Sequence, residues 1–329
     1  MPFLLSAIYK SANAGLPLVN TVRHYHLKFL TVLDIIVITV ILIEGVNLML
    51  NKAYLEITNV CNLSCTFCHK TKRKPRLLTA DEFEHLASKL KGKIKYLYFH
   101  LMGEPTLHPD LPKFISTAKS MGFLPIITTN GTLLGKIRDN ILSDPPHKIS
   151  ISLHAPSANK AFADSSYLDN CIDFAHKASN TGCYIAYRLW NIGTEEEKEN
   201  RPILDKLHEE FPGEWTDVRN KNGKKLADRI YLEFAEHFDW PDMNADECKK
   251  DADMFCYGLR DQIGILCDGT VVPCCLDAEG VIALGNLFES DLDQIISSPR
   301  AKAIYDSFSN RRAAEELCRK CGYAKRFSK

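Results

Sequence analysis

From residue 53 onward two periodicities alternate along this 329-residue chain. Residues 53–58 (Ala-Tyr-Leu-Glu-Ile-Thr) switch apolar and polar in turn and predict a strand. Thr79-Ala80-Asp81-Glu82 is a capping box, and the helix it opens carries Phe83, Leu86, Ala87 and Leu90 on one face. The pair of patterns then repeats. Residues 94–99 predict a second strand, and Asp110 predicts the N-cap of a helix with Leu111, Phe114, Ile115, Ala118 and Met121 in register. Residues 125–129 and 148–153 predict strands three and four, 168–180 a helix, 184–189 strand five, and 195–211 a helix polar on one side. Residues 212–228, polar and glycine-containing, predict an irregular insert, and 229–234 a sixth strand. Strands alternating with helices in this way predict a parallel α/β sheet, with functional residues at the C-terminal strand ends.

Past the sixth strand the pattern changes. Residues 239–255 read as an Asp-rich polar linker. Residues 263–266 and 270–273 flank Asp268-Gly269 and predict a hairpin. Helices are predicted over 291–297 and 300–308, with a last one ending near Cys318. A region this small builds a marginal core, so a metal staple suits it. At the other end, residues 1–28 carry Lys10, Arg23 and Lys28 and no acid, and 29–43 are almost wholly apolar apart from Asp34. That run falls short of the roughly 20 residues needed to span a bilayer. It is compatible with a signal anchor, a cleaved signal peptide, or a natural start at Met49, which leads straight into the first strand; the third reading is preferred. The expected organisation is an apolar segment over 1–51, a core over 52–238 and a small cysteine-rich domain over 239–329.

Composition narrows the function. Hydrophobic residues make up 45% and charged residues 25%, ordinary values for a globular protein, and a formal net charge of zero gives no case for a nucleic-acid partner. Twelve cysteines cluster towards the two ends of the patterned region. Disulfide scaffolds belong to short secreted chains, so clustered thiols in a chain this long point to metal sites in the cytoplasm.

The densest cluster is Cys61-Asn62-Leu63-Ser64-Cys65-Thr66-Phe67-Cys68, a C-x3-C-x2-C run after the first strand. Thiolates select zinc or iron–sulfur clusters. A structural zinc site wants four ligands, and His69 directly follows Cys68, where joint chelation is awkward. Three thiolates on a four-iron cluster leave one iron open to a ligand.

This spacing, with an aromatic residue before the third Cys, resembles the radical S-adenosylmethionine (radical SAM) superfamily. The resemblance implies a (β/α)6 partial TIM barrel over about residues 52–235, matching the strand order above. It implies a [4Fe–4S] cluster on Cys61, Cys65 and Cys68 that chelates S-adenosylmethionine and cleaves it reductively to a 5′-deoxyadenosyl radical. Gly103-Glu104-Pro105 resembles the family's Gly-Gly-Glu-Pro turn, with Met102 in place of the first Gly, and Glu104 would then accept from the methionine ammonium. By the same resemblance Thr128, Asn130 and Ser152 contact the methionine carboxylate or ribose, Arg188 is a carboxylate partner, and Phe67 lies beside adenine. The plain structural alternatives are a β-to-α turn at Gly103, a solvent-reaching Arg188 and loop packing for Phe67. His100, His108 and His154 stand near strand ends, where lone histidines are more often structural.

Cys256-x12-Gly269-x4-Cys274 and Cys318-x2-Cys321 resemble the opening of the SPASM motif and its following pair. The resemblance implies the shorter twitch version, with one auxiliary [4Fe–4S] cluster on Cys256, Cys274, Cys318 and Cys321, and Cys267 or Cys275 as possible substitutes. Cys171, Cys183 and Cys248 read as ordinary thiols. Asp277 and Glu279 are weak candidates for a catalytic proton acceptor. The implied protein is an iron–sulfur oxidoreductase that abstracts hydrogen from a peptide or small molecule, with the auxiliary cluster as electron acceptor and flavodoxin or ferredoxin as reductant. The end Arg326-Phe327-Ser328-Lys329 lacks the Gly-Gly of the molybdenum-cofactor cyclase, which counts against that activity. The rival is a non-enzymatic zinc or iron–sulfur binding module.

Overall fold

The computed structural model describes residues 50–159, 164–219, 222–246 and 253–327. The apolar run over 29–43, the alternative start at Met49 and Cys248 lie outside the described residues. All six expected strands form: β1 (Lys52–Leu55), β2 (Tyr96–Tyr98), β3 (Leu124–Thr129), β4 (Lys148–Ser152), β5 (Tyr184–Ile192) and, after a hairpin of β6 (Thr216–Asp217) and β7 (Gly223–Ala227), β8 (Ile230–Glu236). They pair in parallel in the order β1-β2-β3-β4-β5-β8. The arrangement is the open α/β partial barrel that the alternation predicts.

The two faces of these strands differ in chemistry. Leu55, Leu97, Ile127, Ile149, Ile185 and Leu232 are fully buried under the helices. In alternation with them, Tyr54, Tyr98, Thr128, Lys148, Arg188 and Glu233 line the concave face. Period-2 patterning therefore marks an inside and an outside, both partly enclosed. The first helix, α1 (Ala80–Leu90), starts on the expected capping box, with Thr79 Oγ1 accepting from Glu82 N at 3.2 Å and Glu82 Oε2 from Thr79 N at 2.8 Å. Its Phe83 stacks on Phe114 of α2 (Leu111–Ser120) with centroids 4.3 Å apart.

Four expectations change. Asp110 precedes α2 but makes no side-chain cap, and Pro112 in the first turn starts that helix instead. An unpredicted helix, α3 (Leu134–Leu142), fills the β3–β4 connection; it buries only Leu134 and Ile141, too few apolar positions to show a period. Residues 168–180 form α4 (Tyr167–Asn180) as expected, whereas the polar stretch from 195 opens as a 3-10 turn (Glu195–Glu199) before α5 (Asn200–Glu210). Within the stretch read as irregular, β6 and β7 pair antiparallel, and β7 continues the sheet onto β8.

The C-terminal region joins the same sheet. β9 (Gln262–Ile265) lies parallel to β1, with Lys52 opposite Gln262 and Leu55 opposite Ile265. β10 (Thr270–Val272) forms the expected hairpin with β9, and β11 (Gly285–Asn286) pairs with β10. Three helices follow, α6 (Leu292–Ile296), α7 (Pro299–Ser309) and α8 (Glu316–Arg319). The sheet thus runs unbroken across residue 238. Among the described residues, no helix is long and apolar enough to cross a membrane.

A buried ion pair braces this junction. Glu56, just past β1, is fully buried, and Arg73 grips it with two bonds of 2.7 and 2.8 Å. The same carboxylate accepts from Met102 N after β2 (3.2 Å) and from Cys267 N after β9 (3.1 Å). Arg73 also donates through Nε to Ala278 O at 2.8 Å. One carboxylate therefore ties three chain segments. Arg73→Met should leave it buried and uncompensated and lower stability by about 3–5 kcal/mol. Urea denaturation of the variant against the parent measures this; a loss below about 1 kcal/mol, the worth of a surface pair, would show that the brace is not structural.

Candidate functional site

The loop carrying Cys61, Cys65 and Cys68 is fastened to the ends of three successive strands. At β2, Gly103 adopts φ +76°, and a Cβ there would lie 2.4 Å from Thr58 O and 2.9 Å from Asn59 Cα. Only glycine allows this approach. It lets Glu104 N donate to Val60 O at 2.8 Å, one residue before Cys61. At β3, Asn130 Nδ2 donates to Asn62 Oδ1 at 2.9 Å and lies 4.0 Å from Cys61 Sγ. Asn62 in turn donates to Thr132 Oγ1 at 2.8 Å. At β4, Thr66 N donates to Ala158 O at 2.9 Å and Cys65 Sγ to Ala155 O at 3.4 Å. Cys61 is exposed, Cys68 half-buried and Cys65 buried. Burial pushes Cys65 up to about 12, with Cys68 and Cys61 adding to the shift. The free thiol keeps its proton, and a metal that takes it as thiolate must displace that proton.

Glu104 faces inward. Its Oε1 accepts from Thr106 N (2.9 Å) and Thr106 Oγ1 (2.6 Å), and its Oε2 from Asn130 N (2.7 Å). Burial raises its carboxyl above the usual range. Gly103, Glu104 and Asn130 thus form the backing of the cysteine loop. Phe67, Thr128, Ser152 and Arg188 instead line one cavity of about 360 Å3 on the concave face, within the roughly 300–1,000 Å3 of small-molecule sites. Phe67 stands 4.9 Å from the ring of His154.

Three buried polar atoms around this cavity have no hydrogen-bond partner: His100 Nδ1, Arg188 Nε and Trp190 Nε1. Buried polar groups are normally paired, so orphans converging on a cavity are donors and acceptors kept for a ligand. His100, buried beside the Arg188 charge, is pushed down to about 3 and is neutral at pH 7. His154 Nδ1 sits 3.0 Å from Arg188 O, and burial takes it down to about 4. His108 is structural, with Nε2 2.9 Å from Leu78 O and Nδ1 accepting from Asp110 N.

Cys256, Cys274, Cys318 and Cys321, far apart in sequence, line a second, smaller cavity. Burial, then the neighbouring thiols, raises Cys274 well above its ordinary value. The two spare thiols are elsewhere. Cys275 lines the larger cavity, and Cys267 Sγ is 3.9 Å from Arg76 O on the far side of β10 from the ring. Gln262, Leu276 and Tyr323 belong to the walls of both cavities. Among the described residues, no three His, Cys, Asp or Glu side chains converge on a point that one metal ion would fill. Asp277 accepts from Val281 N (2.9 Å) and Ile282 N (2.8 Å), so its carboxylate closes a turn. Glu279 accepts from Lys72 N at 3.0 Å and stitches the small domain to the cysteine loop. The sequence reading overlooked Glu56, Arg73, Asn62, Tyr54, Tyr98 and Trp190; the polar members of alternating strands were the available signal.

Residues 55–207 match the profile of the radical SAM superfamily, and 256–322 match SPASM, an iron–sulfur cluster-binding domain. A probable GTP 3′,8-cyclase of Sulfolobus acidocaldarius is 30% identical over 134 residues, which are 39% of this chain and 42% of that protein. The chain thus spans about two fifths of the length of that curated relative. The structure of BtrN in complex with AdoMet and 2-DOIA is similar over 83% of this chain and 92% of that one, with TM-score 0.52 and 17% identity. Streptococcus suis SuiB bound to its precursor peptide SuiA is similar over 97% of this chain and 83% of that one, with TM-score 0.52 and 16% identity. At these identities the likeness is one of fold.

Gly103→Ala should release the cysteine loop from β2, since the Cβ meets backbone atoms that have no side-chain freedom to yield. Alkylation of Cys65 in the metal-free protein, followed by mass spectrometry, is expected to run several-fold faster in the variant. An unchanged rate would show that the loop is not clamped there.

Proposed function

The chain belongs to the radical SAM superfamily and carries a SPASM-type iron–sulfur domain, and from this premise we propose that it is an oxidoreductase with two clusters facing one substrate cavity. Membership carries with it a [4Fe–4S] cluster that binds S-adenosylmethionine, and an auxiliary iron–sulfur cluster. The residues fit both groups. Cys61, Cys65 and Cys68 offer three thiols on one fastened loop, and the orphaned atoms of His100, Arg188 and Trp190 await partners in the adjoining cavity. When bound, the SAM cluster supplies one electron that cleaves the sulfonium bond and yields a 5′-deoxyadenosyl radical.

The protein's own part is positioning. Phe67, between the second and third thiols, forms the wall from which the cavity opens, and Thr128 and Ser152 offer hydroxyls along it. Gly103, Glu104 and Asn130 hold the loop so that its open iron faces inward. Cys256, Cys274, Cys318 and Cys321 hold the auxiliary cluster. The observation that carries this reading is the shared wall: Gln262, Leu276 and Tyr323 separate the larger cavity from the four-thiol ring. A substrate radical formed in that cavity has an electron acceptor directly behind the wall. The ring surrounds a space and has no single point of convergence, which favours a cluster over one zinc ion. A flavodoxin or ferredoxin is the proposed reductant. SuiB binds a precursor peptide and BtrN binds 2-DOIA, and both precedents support a substrate that enters the concave face.

Two outcomes follow for anaerobically reconstituted protein. Replacing Cys61, Cys65 and Cys68 together with Ala should abolish 5′-deoxyadenosine formation under dithionite; persistence of that product would remove the cluster assignment. Replacing Cys318 and Cys321 with Ala should lower bound iron by about four atoms while cleavage of S-adenosylmethionine persists. Iron unchanged with zinc lost would leave a one-cluster enzyme with a zinc staple.

A further inference from the structure

We infer that Arg188 is the anchor for a carboxylate group of the substrate, so that the cavity selects anionic substrates. This rests on the radical SAM reading above and adds to it the charge class of what is oxidised.

Arg188 is partly buried on β5, with its guanidinium carbon 3.3 Å from the centroid of the Trp190 ring. Its Nε is shielded and has no partner. Its one side-chain hydrogen bond, to Thr128 Oγ1, is long at 3.5 Å. A guanidinium carries five N–H donors and stays charged, so most of its capacity points at the cavity unused. Glu233 faces it from β8 in register, but that carboxylate accepts from Lys148 Nζ at 2.8 Å. The formally charged residues lining the cavity are therefore Lys148 and Arg188 against Glu233, and the excess is one positive charge. His100 and His154 stay neutral there.

The cofactor does not cancel this charge. S-adenosylmethionine has a sulfonium, an ammonium and one carboxylate, and is itself a net cation. Nor is Arg188 oriented to the cofactor end. The groups whose charges it feels are Glu233, Tyr54, Cys275 and Tyr98, which lie towards the auxiliary domain. Cys65, in the SAM-cluster loop, feels Cys68, Cys61 and Lys70 instead. Stacking on Trp190 leaves one edge of the guanidinium planar and open, the geometry that meets a carboxylate with two parallel bonds. One unpaired positive charge balances one carboxylate; a phosphate, at about −1.5 to −2, would remain partly uncompensated.

The test uses the reconstituted holoprotein, anaerobic and unreduced, saturated with S-adenosylmethionine. Benzoate, benzamide and inorganic phosphate are titrated by calorimetry. Benzoate and benzamide match in shape and differ in charge. Benzoate should bind about tenfold or more tightly than benzamide, and more tightly than phosphate. Arg188→Gln should erase the preference and Arg188→Lys should keep part of it. Both variants should hold S-adenosylmethionine within ~threefold of the parent. Removal of an unpaired buried cation does not threaten the fold. Equal binding of benzoate and benzamide overturns the inference, as does a preference for phosphate. A collapse of S-adenosylmethionine affinity in Arg188→Gln, with benzoate unaffected, assigns the residue to the cofactor and also overturns it. Failure of the parent to bind iron and S-adenosylmethionine at all would instead remove the radical SAM reading beneath it.

Discussion

The molecule hangs on the buried pair of Glu56 and Arg73. A carboxylate with no exposure would be strongly unfavourable alone, and here four bonds from three segments satisfy it. Arg73 returns from the cysteine loop, Met102 opens the turn that Gly103 fits against that loop, and Cys267 follows β9 in the small domain. The loop for the first cluster, the turn behind it and the sheet carrying the second thiol set are thus located from one point. Their separation is set by the covalent geometry of strand ends, as a radical relay between two sites requires. Glu279, bonded to Lys72 N beside Arg73, adds a second stitch across the same seam.

The concave face follows the opposite rule. Where the Glu56 knot is fully satisfied, the cavity keeps three buried polar atoms unpaired. Stability is spent there on readiness for ligands: a neutral His100, an indole N–H and a guanidinium resting on Trp190. The aromatic walls, with Tyr54 stacked on Tyr98 at 4.5 Å, hold these groups in a dry setting where hydrogen bonds are strong. Tyr54 also hydrogen-bonds Cys275, which fixes that thiol in the cavity wall next to Cys274 of the ring.

Much of this was legible in the sequence, and the misses have physical causes. The cysteine spacings and the apolar faces of α1, α2 and α4 are local patterns, and they carried over to the structure. Alternation in residues 53–58 identified two faces of β1 but not that the polar face is enclosed, so Glu56 read as an ordinary outward residue. Barrel curvature, a non-local property, put it inside. The β9–β1 pairing joins residues about two hundred positions apart and leaves no local trace. Helix α3 and strands β6 and β7 escaped because edge elements bury too little to impose a period; Thr216 and Asp217 are both exposed. At the site, Glu104 and Asn130 matched the family's turn and strand end, yet their side chains are engaged in holding the loop, a distinction only geometry makes.

The central claim is that two chemically distinct clusters flank one cavity. Electron paramagnetic resonance of the dithionite-reduced, reconstituted protein, recorded before and after S-adenosylmethionine is added, tests it most directly. The account predicts two overlapping signals from reduced [4Fe–4S] centres, one shifted by S-adenosylmethionine at its open iron and one indifferent to it because all its irons carry thiolates. A single signal, or two signals of which neither responds, would contradict it.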